Sequence, residues 1–422
     1  MNVYEVLQRL HLDAHRAVIE PGWADSMRTR PAGRPACLEE EFLREASVYC
    51  GLTAEAQAAV SRAAKRVAAD DALTALLWHA QAKVSGRTGG PGLAQWPMPE
   101  AALGRDAGLF YALSVLANYG SVRELHRARS IPVEVVADTM SDVFLHMDRY
   151  RRHHGEYGLT GQIAGGWLTN HFRGKIYRLG RLQFIHRALG APLTAYRNRA
   201  GRVAALSQPD VVFRRDGRRN GAAGITETEG VWTSALRVEP QRVCGNPIDA
   251  VRAVAVAQPV ELDRSEWQPV LCPGDPVLDI HIPAIGPMPR EACAESAARA
   301  VEFFPRHFPD CAPARAIVCY TWMLDPQLTA WLPPESNIMQ FQRQFHLHPV
   351  DTDAWAALRF VFELDVPYGA DTGPDLAALP QNTTLERALV AHARAGGRFY
   401  KAGGFILVDD LPWGREAYRS GF

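Results

Sequence analysis

The chain has 422 residues, 47% of them hydrophobic and 22% charged, the balance of a globular rather than a disordered protein. Lys plus Arg and Asp plus Glu each number 46, so no net field draws the chain to nucleic acid or to an anionic membrane, and any anion site must be local. Such a length exceeds what one core usually holds and predicts two domains.

At the amino end, Val3, Leu7 and Leu10 recur at helical spacing, which reads as an amphipathic helix rather than a secretory signal. No apolar run approaches the roughly 20 residues that span a bilayer. The seven cysteines are scattered and include no CxxC pair, which predicts reduced thiols in a cytoplasm. The Ala-rich segments 52–82 and 107–128 carry apolar residues at three- and four-residue steps and predict helices. Pro132 suits the first turn of a further helix over 131–154, and the Gly/Pro-rich stretch 85–100 predicts a loop. This helical half is expected to run over residues 1–155.

After Gly155 the texture changes to shorter apolar runs broken by turn residues. Segments 173–189, 200–221, 231–240, 314–324, 337–348 and 358–366 predict strands, and 399–410 a last strand pair. Thr383–Gly397 predicts a capped helix. Residues 156–422 are thus expected to form a mixed domain, and the fold class is α+β.

The segment VLDIHIPAIGPMPR, residues 277–290, runs from a strand through a Gly/Pro loop into a helical stretch. Unpaired N–H groups and the dipole at such a helix start favour a phosphate. Side chains alternate along a strand, so Asp279 and His281 share one face. His281 there is a candidate base, and a histidine bonded across the sheet is the structural alternative.

The segments RLGRLQF, PGDPVLDIHIPAIGP, CYTWMLDPQL and LPPESNIMQFQRQF occur in that order. On them the chain resembles a bacterial, largely actinobacterial, acyltransferase family. Its members join a helical N-acyltransferase N-terminal domain to a GNAT-like C-terminal domain. The resemblance implies a splayed mixed sheet, with acyl-CoA entering between its fourth and fifth strands, here Val277–Ile282 and Ala316–Trp322. It also implies a pyrophosphate loop at Pro283–Met288 and its helix at Pro289–Phe304. The chain departs from the usual GNAT phosphate signature: Gly286 is present, but Pro287 and Pro289 each lack a backbone donor. A carrier-protein phosphopantetheine arm is therefore a second possible donor.

On this mapping His281 is the expected base, Tyr320 the acid for the departing thiolate, and Asp325 a helix N-cap or an acid–base group. Ile282, Ile285, Gly286, Arg290 and Asn337 are expected to hold the coenzyme. Trp322, Glu229 and Trp232 are expected to meet the acceptor. Arg178, Arg181 and Gln183 could bind a carboxylate or phosphate, or bridge the domains. His346 and His348 share a strand face as zinc ligands can, but no third ligand is evident, and no metal is expected. The expected function is transfer of an acyl group from acyl-CoA, as co-substrate, directly to an amine of a small molecule or peptide. The alternatives are dependence on an acyl carrier protein and a binding scaffold without turnover.

Overall fold

The computed structural model describes residues 2–364 and 373–419. The chain divides into two compact units, Met1–Leu179 and Gly180–Phe422. No helix among the described residues is long and apolar enough to cross a membrane.

The first unit is helical. Helix α1 (Val3–Arg9) opens with a capping box in which Asn2 Oδ1 accepts from Glu5 N–H at 3.0 Å and Glu5 accepts from Asn2 N–H at 3.1 Å. The Ala-rich stretch 52–82 becomes two helices, α2 (Ala54–Ala68) and α3 (Asp71–Ser85), parted at Asp70. That carboxylate accepts from the N–H groups of Ala72 and Leu73, so it starts the second helix as it ends the first. Every residue of α4 (Ala107–Leu116) is buried, making it the unit's central rod. Segment 131–154 likewise splits into α5 (Val133–Met140) and α6 (Asp142–His154). The change of texture at Gly155 coincides with the left-handed residue that ends α6.

In the second unit five strands form one sheet: β1 (Leu182–Ala188), β2 (Pro276–His281), β3 (Ala316–Thr321), β4 (His346–Pro349) and β5 (Ala402–Leu407). Their order is β1-β2-β3-β5-β4, and only β2 and β3 run parallel. A parallel neighbour needs a crossover, and helix α7 (Arg290–His307) supplies it. It packs on the face bearing Leu182, Phe184 and His186: Ser296 Oγ accepts from Leu182 N–H at 3.0 Å, and the His186 and Phe304 rings lie 5.9 Å apart. Small antiparallel sheets between β1 and β2 use Leu193–Asn198, Val203–Ser207 and Trp267–Leu271, and Leu236–Val238, Arg242–Gly245 and Val260–Asp263.

Three expectations are corrected. Segment 337–348 is not one strand: Asn337–Gln342 is a helix, α8, because Ser336 caps it by accepting from Met339 N–H, and only His346–Pro349 is strand. Ala356–Val361 is helical where 358–366 read as strand, and residues 365 and 366 lie outside the described residues. The last segment gives one strand, Ala402–Leu407, followed by a 3₁₀ turn. Thr383 caps α9 (Thr384–Arg394) with a capping box through Glu386, as its sequence predicts.

Candidate functional site

The site is built by register. Val277 and Asp279 of β2 lie opposite Ala316 and Val318 of β3, and the parallel ladder ends at Ile280 opposite Cys319. Beyond that point β2 continues only with β1, through His281 opposite Gln183, and β3 only with β5, through Tyr320 opposite Gly403. The two parallel strands have parted. Opposed residues share a face, so Gln183, His281 and Tyr320 stand in one row at the opening, with His348, also opposite Gly403, at its far end.

That row is polar and partly buried. His281 is 31% exposed and its Nε2 lies 3.6 Å from Asp279 Oδ2. Asp279 is buried and accepts from Arg187 Nε at 2.8 Å. The Arg187 guanidinium also lies over the Tyr320 ring, 5.3 Å from its centre. Burial pushes the Tyr320 phenol up to about 12, against the pull of the Arg187 charge, so the group is a proton donor at neutral pH. The His348 ring meets Tyr320 edge-on at 5.8 Å and occupies the space where a side chain at Gly403 would stand. Burial lowers its imidazole to about 3, so it is neutral. Three buried atoms on this row, Gln183 Nε2, Tyr320 Oη and His348 Nε2, have no hydrogen-bond partner among the described residues. Native interiors seldom leave such groups unpaired.

The loop after β2 is held from behind. Arg181 donates to the carbonyls of Pro283 at 3.1 Å, Gly286 at 2.7 Å and Pro287 at 2.8 Å. Carbonyl and N–H point opposite ways across a trans peptide, so those bonds turn the Ala284 and Met288 N–H groups away from Arg181. Gly286 takes φ 103°, a left-handed conformation that suits glycine. Pro289 gives α7 no side-chain cap, and Pro289, Arg290 and Glu291 are exposed, so the helix start is open. The Arg290 guanidinium packs against Gly414.

Several of the remaining expected residues fall away from this row. Strand β3 ends at Thr321, so Trp322 leaves the sheet face; at 7% exposed it packs with Leu328, Met339, Leu358 and Phe399. Both Asp325 oxygens are engaged: Oδ1 accepts from Gln327 N–H, and Oδ2 from Gln327 Nε2 and Tyr400 N–H. Burial raises its pKa, and the arrangement is a cap and a latch. Asn337 begins α8 and is exposed. Glu229 is exposed, and Trp232 belongs to a separate two-stranded sheet, its ring tilted against that of Phe213 at 4.9 Å and its Nε1 donating to the Arg214 carbonyl. Ile282 directly follows β2, and Ile285 N–H donates to Pro283 O within the loop. Among the described residues no three His, Cys, Asp or Glu side chains form a metal group.

Sequence reasoning missed Arg187, although its alternation with Gln183 and Ile185 along β1 places it on the Asp279 face. It also missed a cluster in the helical unit. There Asp142 accepts from Trp167 Nε1 at 2.7 Å and faces His171 Nε2 at 3.1 Å, beside the π-helical turn Ile163–Trp167. Burial pushes that carboxyl up, but His171 and its other partners outweigh it and hold it below the ordinary carboxylate range. No local signal links positions so far apart in sequence.

A mixed sheet whose one parallel pair parts at its end, followed by a helix with an open amino terminus, defines a GNAT-like transferase. The chain belongs to the acyltransferase family that joins an N-acyltransferase N-terminal domain, matched by residues 41–174, to a GNAT-like C-terminal domain, matched by residues 176–406. Similar solved structures include an acyltransferase mutant in complex with octanoyl-CoA, at 25% identity and TM-score 0.62 over 96% of this chain and 99% of that one. Another is an acyltransferase in complex with decanoyl-CoA and teicoplanin, at 25% identity and TM-score 0.62 over 97% and 100%. A third, with CoA and 10C-teicoplanin, is 24% identical and shows the shared fold. The comparison with curated proteins finds no match.

Proposed function

We propose that the protein transfers an acyl group from acyl-CoA directly to an amine of a small-molecule or peptide acceptor. The observation that carries this reading is the parting of β2 and β3 at a buried polar row, with the open start of α7 just downstream. The coenzyme phosphates meet the α7 start and the N–H groups of the 283–288 loop, where Ile282, Ile285, Gly286 and Arg290 lie along the path. The thioester enters the opening between β2 and β3. Solved relatives holding octanoyl-CoA, decanoyl-CoA and teicoplanin support both the donor and the class of acceptor.

The chemistry follows from the row. His281 takes the amine proton as nitrogen attacks the thioester carbon, and Asp279 steadies the resulting imidazolium. Tyr320 gives its proton to the departing thiolate, and Arg187 stabilises the phenolate left behind. Release of free thiol from acyl-CoA, followed with an amine acceptor, tests the reading. His281→Ala should lower kcat by about 10²-fold or more while CoA binding is kept. Turnover unchanged in that variant removes His281 from the chemistry, and no thiol release by the wild-type chain with any acyl-CoA contradicts the reading.

A second donor remains favoured by one observation. Prolines at 283, 287 and 289 remove three N–H groups from the phosphate loop, which suits the single phosphate of a carrier-protein arm better than a pyrophosphate. Calorimetric titration separates the two: heat of binding with free CoA supports the coenzyme, and its absence at millimolar CoA supports the carrier.

A further inference from the structure

We propose that Gln183 is a catalytic residue of this reaction: its side-chain amide donates a hydrogen bond to the thioester carbonyl oxygen as that oxygen gains charge. The inference rests on the acyl-transfer reading and deepens it.

Gln183 is 1% exposed, and its Nε2 has no partner among the described residues. An amide N–H buried in this way is costly unless something occupies the space before it. Its place is fixed by the β1–β2 ladder, directly opposite His281 and on the face that bears Tyr320, in the row where the parallel ladder ends. The carboxylate on the same face, Asp279, is already engaged by Arg187. An N–H can only donate, so the missing partner is an acceptor. Of the atoms at the reacting thioester, the carbonyl oxygen is the better acceptor and the sulfur a poor one, and the oxygen becomes a far stronger acceptor as it gains charge. A donor held by a strand rather than a loop needs no reorganisation when charge appears.

The step balances. The amine lone pair forms the C–N bond, and the carbonyl π pair moves onto oxygen, where Gln183 stabilises it without giving up a proton. The pair then returns and the C–S bond breaks. The thiolate takes the Tyr320 proton, the nitrogen proton passes to His281, and water returns it to the phenolate. The products are an amide and free thiol.

The test uses the full chain, acyl-CoA labelled with carbon-13 at the carbonyl, and the variants Gln183→Leu and Gln183→Glu. Isotope-edited infrared spectroscopy should show the carbonyl stretch lowered on binding to the wild-type chain and restored toward its free value in Gln183→Leu. Both variants should lose about 10²- to 10³-fold in kcat, with CoA affinity held within about threefold. Wild-type kcat in Gln183→Leu overturns the proposal, as does full activity in Gln183→Glu at a pH where its carboxyl is ionised, since a carboxylate cannot donate. A kcat loss without any infrared change assigns Gln183 a structural role and also overturns it. Should Gln183→Leu fail to fold, an unshifted carbonyl in the wild-type complex is decisive against the proposal. A wild-type chain that releases no thiol from acyl-CoA refutes the acyl-transfer reading itself, whereas an active wild type with an unaffected variant refutes Gln183 alone.

Discussion

At the residue scale the account turns on Tyr320, whose hydroxyl stays protonated because burial outweighs the neighbouring Arg187 charge. Tyr320→Phe keeps the ring and removes the proton, so kcat should fall by about 10²-fold or more with unchanged CoA affinity. Steady-state kinetics decide this, and equal kcat would strip Tyr320 of its role. Gly403 matters for a different reason. A β-carbon there would meet the His348 imidazole, so Gly403→Ala should destabilise the chain by about 1–3 kcal/mol in urea unfolding, and an unchanged midpoint would mean that the ring moves freely. Sequence alternation was enough to put Asp279 with His281 and to raise Tyr320. It could not show that Gln183 lies opposite His281, because cross-strand register between β1 and β2 depends on pairing across some ninety intervening residues. Trp322 was misplaced for a smaller reason: Thr321 Oγ1 accepts from Met323 N–H and turns the chain into a 3₁₀ helix one residue early.

At the element scale, helices were legible wherever caps and periodicity agreed, as at Asn2, Thr53 and Thr383. Strand β2 and helix α7 also fell within a few residues of expectation, because an apolar run, a Gly/Pro loop and an Ala-rich stretch are strong local signals. The stretch 337–348 misled because its alternation is shared by a short helix, and only the Ser336 cap separates the two. The loop between β2 and α7 was legible as a turn, but not the three bonds from Arg181 that hold it open. Arg181→Met should free those carbonyls and disorder the donors facing the coenzyme. CoA affinity should then weaken by about tenfold, roughly 1.4 kcal/mol, in calorimetric titration. Affinity equal to wild type would show that the loop keeps its shape without Arg181.

At the scale of the whole molecule, both units bury neutral imidazoles. Burial lowers His79, His126 and His346 to about 4 and His348 to about 3. In the unfolded chain these rings take up protons near pH 6.5, and in the folded chain they resist to about pH 4. Their contribution is therefore fully present above pH 6.5 and lost as pH falls toward 4, at up to about 1.4 kcal/mol per pH unit for each ring. Urea unfolding at pH 7 and pH 5 should show that loss, and equal stability at both would contradict the burial of these rings. The two-part organisation and the α+β class were readable from the change of texture along the chain, whereas the parting of β2 and β3 was expected only through the family resemblance. The most direct measurement is a crystal structure of the chain with CoA bound. The account places the coenzyme phosphates at the amino end of Arg290–His307 and the sulfur in the opening just beyond the Ile280–Cys319 pair, beside Tyr320. A coenzyme bound anywhere else, or a ladder continuing past Cys319 to close the opening, would contradict it.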